Sequence, residues 1–290
     1  MTKLLRLLLA ATALLTGAWL YGQREGRVGA IPSGTDPRQF QYAGDTPRWT
    51  NPPGFEKDVF TFVRIRYGAA GRRASNGVWL GARRWSTDYP DADLNISYRL
   101  QQMTSMKVDP NGRVLEINDP ELFRYPFIYI VEPGDLVFDE SEVGTLRRYL
   151  LNGGFLMIDD FWGEDEWENL AEQLKRVFPD REIVDIPREH PMFHCVFDIP
   201  NDLNLQLPNV RLGTMSQYNG GVTWERPDAV DCHIRGIYDD KGRLCVVICH
   251  NTDNGDGWER EGENEYYFRE FSEKRAFPLG INIIFYAMTH

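Results

Sequence analysis

The 290-residue chain has no cysteine before position 195 and only five histidines. Its first two thirds therefore lack the thiols that a cysteine nucleophile or a cysteine-based zinc site requires. Basic residues are also scarce, with 32 Lys and Arg against 43 Asp and Glu and a formal net charge of −11. An acidic chain without a long basic run repels phosphate backbones, so nucleic acid is not expected as a partner.

The chain also lacks an apolar run of the roughly 20 residues that a membrane-spanning helix needs. Its first apolar run covers residues 7–21 without a charge and follows Lys3 and Arg6. A basic start followed by a short apolar segment is typical of a secretory signal. We therefore predict a signal peptide over residues 1–23 and an exported, periplasmic protein. The alternative is a short uncleaved anchor, which would leave the protein membrane-associated.

The four cysteines are Cys195, Cys232, Cys245 and Cys249. Cys245 and Cys249 fall in one expected strand, where four residues span roughly 13 Å, too far for a disulfide between them. Small buried side chains are the simpler interpretation of all four, and a bridge that includes Cys195 or Cys232 is the alternative in an exported protein.

The rest of the chain divides into a linker and a domain. Residues 24–57 are rich in Pro and Gly and predict a linker or an extended arm. From residue 58 to 290, expected strands at 59–67, 125–134, 155–159 and 181–186 alternate with helical patterns. Asp139 and Glu142 are spaced as a capping box before one of these helices. This alternation predicts an α/β fold, a three-layer sandwich with a mainly parallel sheet.

Ligands of open α/β sheets bind outside the carboxyl ends of the strands, which selects a short list of side chains. Asp159 and Asp160 are candidates for catalysis, because two acids after an apolar strand are costly without a donor or a metal. His190 is a candidate acid or base, although a histidine before proline is more often an ordered loop residue. The candidate ligand-binding residues are Glu132, Trp162, Asn251 and Asp253.

The candidate side chains at the strand ends do not require a cofactor, but they could bind a divalent cation. Asp253 and Asp256 are candidate metal ligands in a stretch where Gly255 and Gly257 permit tight turns. The spacing does not fit an EF-hand, and an ordinary Asx-rich turn is the simpler interpretation.

Several segments resemble domain-of-unknown-function family 4159. They include the segment from Trp85 to Val108, YPFIYIVEPGDLVFDESEVGTLRRYLLNGGFLMIDDFWGE, REHPMFHCVFDIP, GRLCVVICHNTDNGDGWE and LGINIIFYAMT. The resemblance covers roughly 58–290. It implies a class I glutamine amidotransferase-like fold with a flavodoxin-like sheet, in a bacterial envelope protein. Some members resemble companions of membrane ATPase systems, which implies an envelope or membrane protein complex as a partner.

The chain lacks the nucleophilic cysteine that the amidotransferases use. Asp159 and Asp160 stand where the resemblance places the nucleophilic thiol, so glutamine hydrolysis by a thiolate is not expected. The leading hypothesis is an exported, non-catalytic binding or assembly module that takes a sugar-like or cationic small molecule. The alternative is a hydrolase that uses Asp159 or Asp160, with or without a metal.

Overall fold

The computed structural model describes residues 46–55, 58–68 and 84–290, with the backbone alone at 72–73 and 79–80. The predicted signal peptide and most of the predicted linker lie outside the described residues. The described part of the linker contacts the domain, since Trp49 Nε1 donates a hydrogen bond to the carbonyl of Val108 at 2.9 Å. No helix in the described part of the chain has the length and hydropathy needed to cross a membrane.

Seven strands form the main sheet, and two short ones pair separately. In chain order the strands are β1 (Val63–Ile65), β2 (Arg72–Arg73), β3 (Trp79–Leu80), β4 (Arg113–Leu115), β5 (Phe127–Val131), β6 (Phe155–Asp159), β7 (Val184–Asp185), β8 (His233–Tyr238) and β9 (Leu244–His250). The spatial order of the sheet is β4-β1-β5-β6-β9-β8-β7, and β2 pairs with β3. The first five strands of that order are parallel, whereas β8 and β7 are antiparallel to their neighbours.

Helices connect and cover the strands. They are α1 (Asp91–Met103), α2 (Glu140–Leu151), α3 (Glu164–Val177), α4 (Val210–Met215), α5 (Asn254–Glu259) and α6 (Glu265–Tyr267), which continues as a π-helical segment (Phe268–Ala276) into α7 (Phe277–Thr289). Asp139 and Glu142 form the predicted capping box at the start of α2. The predicted α/β architecture with a mostly parallel sheet is therefore confirmed.

Alternate residues of the central strands face different helices. Phe127, Tyr129 and Val131 of β5 belong to one apolar cluster with residues of α1 and α7, whereas the intervening Ile128 and Ile130 do not. All five side chains are 0% exposed. Both faces of the strand are thus covered, which explains why its sequence is continuously apolar rather than alternating.

The strand predicted over residues 181–186 is shorter than expected. Only Val184 and Asp185 pair, antiparallel to β8 at the edge of the sheet, and both are exposed. The N–H of Ile186 still donates to the carbonyl of Ile234 at 2.9 Å, but Pro187 after it has no N–H to donate to a ladder. A short polar edge of this kind limits pairing with other chains.

A buried arginine joins β1 to the segment that precedes α1. Arg64 is 0% exposed; its Nε donates to both carboxylate oxygens of Asp93, at 3.1 and 3.0 Å. Its Nη1 donates to the carbonyls of Trp85 at 3.0 Å and Thr87 at 2.7 Å. A guanidinium in the core is tolerated only when its N–H groups are satisfied in this way.

We expect Asp93→Asn to destabilise the domain by about 3–5 kcal/mol, because it leaves the Arg64 charge buried without its anion. The measurement is the free energy of unfolding in urea. Glu116→Gln is the matched control, since Glu116 pairs with Arg66 on the same strand end but its side chain is 52% exposed. That variant should lose about 1 kcal/mol or less; equal losses in the two variants would contradict the assignment.

Candidate functional site

Three neighbouring parallel strands end in a left-handed residue that is not glycine. Glu132 follows β5, Asp160 follows β6 and Asn251 follows β9, with φ values of 47°, 55° and 59°. Asp and Asn enter this region more readily than other residues because their short polar side chains bond locally. Backbone strain that recurs at one edge of a sheet is typical of functional sites, so this carboxyl edge is the candidate site.

The loops after β6 and β9 are fastened to each other. The N–H of Asp160 donates to the carbonyl of Thr252 at 3.2 Å, and the N–H of Asn251 donates to the carbonyl of Phe161 at 3.0 Å. A bridge between Phe161 and Thr252 completes the contact. The structure therefore brings Asp160 beside the stretch that contains Asp253 and Asp256, as the strand-end rule predicts.

Asp159 is a positioning residue at this edge. It is 0% exposed, and its oxygens accept hydrogen bonds from Asn254 Nδ2 at 2.7 Å, Tyr129 Oη at 3.0 Å and the Gly255 N–H at 3.2 Å. Burial raises the pKa of Asp159 to about 6, and these hydrogen bonds oppose the rise. Because its acceptors are occupied, Asp159 fixes α5 on the sheet and is not open to a substrate.

Asp160 faces other acids. Its Oδ1 accepts a hydrogen bond from Trp162 Nε1 at 3.2 Å. Burial raises its pKa well above the ordinary value, and the negative charges of Glu132, Glu225, Asp159 and Asp256 raise it further. The carboxyl group thus lies in a region of strongly negative potential, which favours a cation beside it.

Three aspartates come together next to Asp160. One carboxylate oxygen from each of Asp88, Asp253 and Asp256 lies within 4.8 Å of the corresponding oxygens of the other two. Asp253 Oδ1 also accepts the Asp256 N–H at 2.7 Å and caps α5, as the Asx-turn interpretation predicts. Asp256 Oδ2 accepts the Val210 N–H at 2.7 Å. Burial, and then neighbouring acids, raise the pKa of Asp88 and of Asp253 well above the ordinary value.

Glu132 belongs to an ion-pair network on the rim. Its Oε2 lies 2.6 Å from Arg84 Nε, and Thr87 Oγ1 donates to its Oε1 at 3.0 Å. Arg84 also pairs with Glu166 at 2.8 Å, and Arg226 pairs with the same Glu166 oxygen at 2.6 Å. Two of the cations nearest the edge are therefore already neutralised by carboxylates.

Asn251 and Trp162 support the edge rather than line an open pocket. Asn251 Oδ1 accepts the Gly163 N–H at 2.9 Å and its Nδ2 donates to the carbonyl of Asp231 at 2.8 Å. Trp162 is only 5% exposed. The indole ring presents little surface on which a sugar could stack.

His190 lies at the opposite edge of the sheet from the acids, which corrects the expectation that it lines the same pocket. Its ring lies 6.2 Å from Tyr238, at the end of β8 that pairs with the start of β9. Its Nδ1 accepts the Met192 N–H at 3.2 Å. Because β8 runs antiparallel to β9, a residue beside the end of β8 is placed at the amino edge of the parallel strands.

Asp88, Glu225 and Glu259 belong to the acidic site but were not among the residues selected from the sequence. Asp88 precedes α1, where an aspartate is ordinarily interpreted as a helix cap, and 165 residues separate it from Asp253. Glu225 and Glu259 follow no strand. Burial raises the pKa of Glu259 to about 7, helped by Asp256 and opposed by Arg260. The strand-end rule finds acids on strand ends alone, and so it misses these three.

All four cysteines are free thiols. Burial raises the pKa of Cys232 to about 12 and of Cys245 to about 11. A nucleophilic cysteine needs a lowered pKa, so neither thiol has the character of a nucleophile.

Together, the fold and this edge define an α/β domain with an acidic site outside the carboxyl ends of a mainly parallel sheet. Residues 61–288 match the family described as domain of unknown function (DUF4159). The chain belongs to this family. No curated protein matches it.

A histidine at the end of β9 is held in its neutral form beside the site. His250 is 1% exposed; Arg235 Nη1 lies 3.0 Å from its Nδ1, and its Nε2 lies 3.2 Å from the carbonyl of Gly163. Since Arg235 can only donate, Nε2 carries the proton. Burial, with Arg235 and His233, lowers the pKa of His250 to about 4.

This histidine makes stability depend on pH in a defined direction. Below pH 6.5, His250 binds a proton in the unfolded chain but stays neutral in the folded chain until the pH approaches 4. The folded state therefore loses stability as the pH falls from 6.5 toward 4. We expect a loss of about 2 kcal/mol from this group between pH 7 and pH 5. His250→Gln should remove that component, measured as the difference from the parent chain in urea unfolding at both pH values. His290→Gln, at the chain end, is the control; an unchanged pH profile in His250→Gln would contradict the assignment.

Proposed function

We propose that the chain is an exported, non-catalytic binding module of the bacterial cell envelope that takes a positively charged ligand at the carboxyl edge of its sheet. The observation that carries the proposal is a surplus of carboxylates with little exposure to solvent. Asp160 and Asp253 are buried and Asp88 is half-buried, and burial together with the charges of neighbouring acids raises the pKa of all three. Among the described residues, no arginine or lysine nitrogen lies within ion-pair distance of a carboxylate oxygen of Asp88, Asp160 or Asp253. A cationic ligand would relieve that repulsion.

The fold supports a scaffold of the amidotransferase type without its reaction. Counted along the chain, the five parallel strands lie in the order 2-1-3-4-5, the order of flavodoxin-like sheets. Asp160, with a φ of 55° directly after β6, stands where the resemblance to the amidotransferases puts the turn that carries their nucleophilic cysteine. A carboxylate at this position cannot form the thioester intermediate that a cysteine nucleophile forms.

The ligand class follows from the side chains that are open to it. A sugar site usually offers an exposed aromatic face, and Trp162 is 5% exposed with its indole N–H directed to Asp160. The acids, in contrast, offer several oxygens and no positive charge. These features favour a metal ion or an amine over a neutral sugar.

A hydrolase remains the second candidate, and Asp160 is the residue that favours it. A carboxyl group with a raised pKa at a strained turn can act as a general acid or base near neutral pH. Its neighbour Asp159 has its oxygens engaged by Tyr129, Asn254 and Gly255. Because the second carboxylate of such a pair is engaged in structure, binding is the better-supported role.

We expect cationic compounds to raise the melting temperature of the full-length chain, while neutral sugars leave it unchanged. A thermal-shift screen of divalent metal salts, polyamines and sugars at matched ionic strength measures this. Asp160→Asn should reduce the shift because it removes one negative charge from the site. The exposed Asp202→Asn, which makes the same charge change elsewhere, should keep the shift. Equal responses in the two variants, or no response to any cation, would contradict the proposal.

The export part of the proposal rests on residues 1–23 and has its own test. We expect a fusion of residues 1–57 to a reporter that is active only outside the cytoplasm to give activity in a bacterial host. Replacing Lys3 and Arg6 with Glu should reduce that activity, since a signal needs its basic start. Arg24→Glu, beyond the apolar run, is the matched control. Cell fractionation then separates a released periplasmic protein from a membrane-associated one, and an inactive reporter in every fusion would refute export.

The proposed module would act within an envelope or membrane protein complex, as the family resemblance implies. A small cationic ligand and a protein partner are compatible, because the ligand site occupies only one edge of the sheet. Nucleic acid stays outside the proposal, given the net charge of −11.

A further inference from the structure

Three carboxylates from two distant segments surround one point beside α5. Asp88 comes from the segment held by Arg64, while Asp253 and Asp256 lie at the start of α5. The chosen oxygen atoms lie within 4.8 Å of one another. Calcium binds oxygen ligands at about 2.3–2.6 Å, so two ligands on opposite sides of the ion are separated by up to about twice that distance. The spacing therefore allows all three carboxylates to contact a single ion.

An unpartnered oxygen points into this cluster. Oδ2 of Asp88 is buried and, among the residues that the structure describes, has no hydrogen-bond partner. A Cβ atom on Gly255 would collide with that oxygen and would lie 3.5 Å from Asp253 Oδ1. Asp88 Oδ2 is thus directed at the backbone between Asp253 and Asp256, into space that the missing side chain of Gly255 leaves open. A buried carboxylate oxygen without a donor is costly unless a cation satisfies it.

A second unpartnered acceptor lies next to Asp253 in the chain. Asn254 is 0% exposed. Its Nδ2 donates to Asp159 at 2.7 Å, whereas its Oδ1 has no hydrogen-bond partner in the described part of the chain. Native proteins leave few buried polar atoms unsatisfied, and a bound ion is one of the partners that such atoms find. Asn254 lies between Asp253 and Asp256 in the chain, so this segment carries an unsatisfied acceptor of its own beside that of Asp88.

The nearest basic side chains are engaged elsewhere. Arg64 is used by Asp93, and Arg84 by Glu132 and Glu166. Arg260 is 2.7 Å from Glu259 and 2.8 Å from Glu263 but 3.7 Å from Asp256. Within the described residues, Arg260 is therefore the one cation that reaches the cluster, at its margin, and it does not balance three carboxylates.

We infer that Asp88, Asp253 and Asp256 form a site for a hard divalent cation, and that calcium is the ion whose bond length fits it. The inference rests on the proposed function, since it identifies the cationic ligand as a metal ion. An all-oxygen, all-carboxylate set selects calcium, magnesium or manganese over softer metals. Magnesium requires shorter bonds and usually retains several waters, so calcium is expected to bind more tightly.

The test uses the full-length chain, stripped with EDTA and titrated with CaCl₂ by isothermal calorimetry. We expect one calcium ion per chain, weaker binding of magnesium, and a rise in melting temperature that EDTA reverses. Terbium can replace calcium as a luminescent probe. Its emission on excitation of tryptophan should appear and then fall as calcium competes, because the buried Trp258 lies two residues from Asp256.

The matched variants are Asp88→Asn and Asp253→Asn, with Asp202→Asn as the control. Each site variant removes one charge but keeps a side chain of the same shape, and affinity for calcium depends on the number of charged ligands. We expect each to weaken calcium binding by about tenfold or more while the metal-free protein stays folded and melts at the same or a higher temperature. Asp202→Asn should bind calcium like the parent chain.

Three other results distinguish failure of the inference from failure of the proposed function. If calcium binds the site variants as tightly as the parent chain, the three-aspartate site is wrong. If no divalent metal binds but spermidine does, and Asp160→Asn abolishes its binding, the metal inference fails while a cationic ligand at this edge stands. If neither kind of cation binds, both are refuted.

Discussion

The buried guanidinium of Arg64 is the interaction on which the carboxyl edge depends. It neutralises Asp93 at the start of α1 and holds the carbonyls of Trp85 and Thr87. Its carbon atom also lies 5.1 Å from the centre of the Tyr129 ring and 5.6 Å from that of Tyr89. A single side chain of β1 therefore determines where the segment before α1 runs. Asp88 follows Thr87 directly, so these contacts also hold Asp88 near Gly255 of α5.

The second half of the site is positioned by an acid. Tyr129, which packs on Arg64, donates its hydroxyl to Asp159, and Asp159 in turn holds Asn254 and Gly255. Tyr129 thus links Arg64, which holds the segment of Asp88, to Asp159, which holds the start of α5. The two acidic segments are kept together in this way. The two aspartates at the end of β6 therefore have different roles. Asp159 positions α5, whereas Asp160 lies near the other acids of the site.

The parts of the structure that local sequence patterns specify could be predicted, and the parts that depend on tertiary contacts could not. The capping box of α2 and the continuous apolar strands β5 and β6 are local, and they indicate a parallel sheet with covered faces. The strand-end rule then leads to Glu132, Asp160, Asn251 and Asp253. Asp88 could not be found this way, because its place is set by Arg64 and not by its own neighbours. His190 was assigned to the wrong edge because its position depends on the direction of β8.

The separation of 165 residues between Asp88 and Asp253 has a consequence for how this chain matures. The two halves of the acidic cluster meet only after β1, β5, β6 and β9 have assembled, so an unfolded chain has no equivalent of it. Any cation held there stabilises the native state alone, by an amount that grows with the logarithm of its concentration. The stability of the folded chain would then depend on the concentration of that cation in the surroundings. The free energy of unfolding would rise when the chain reached a calcium-rich compartment. A chain retained in calcium-poor surroundings would remain easier to unfold and to degrade.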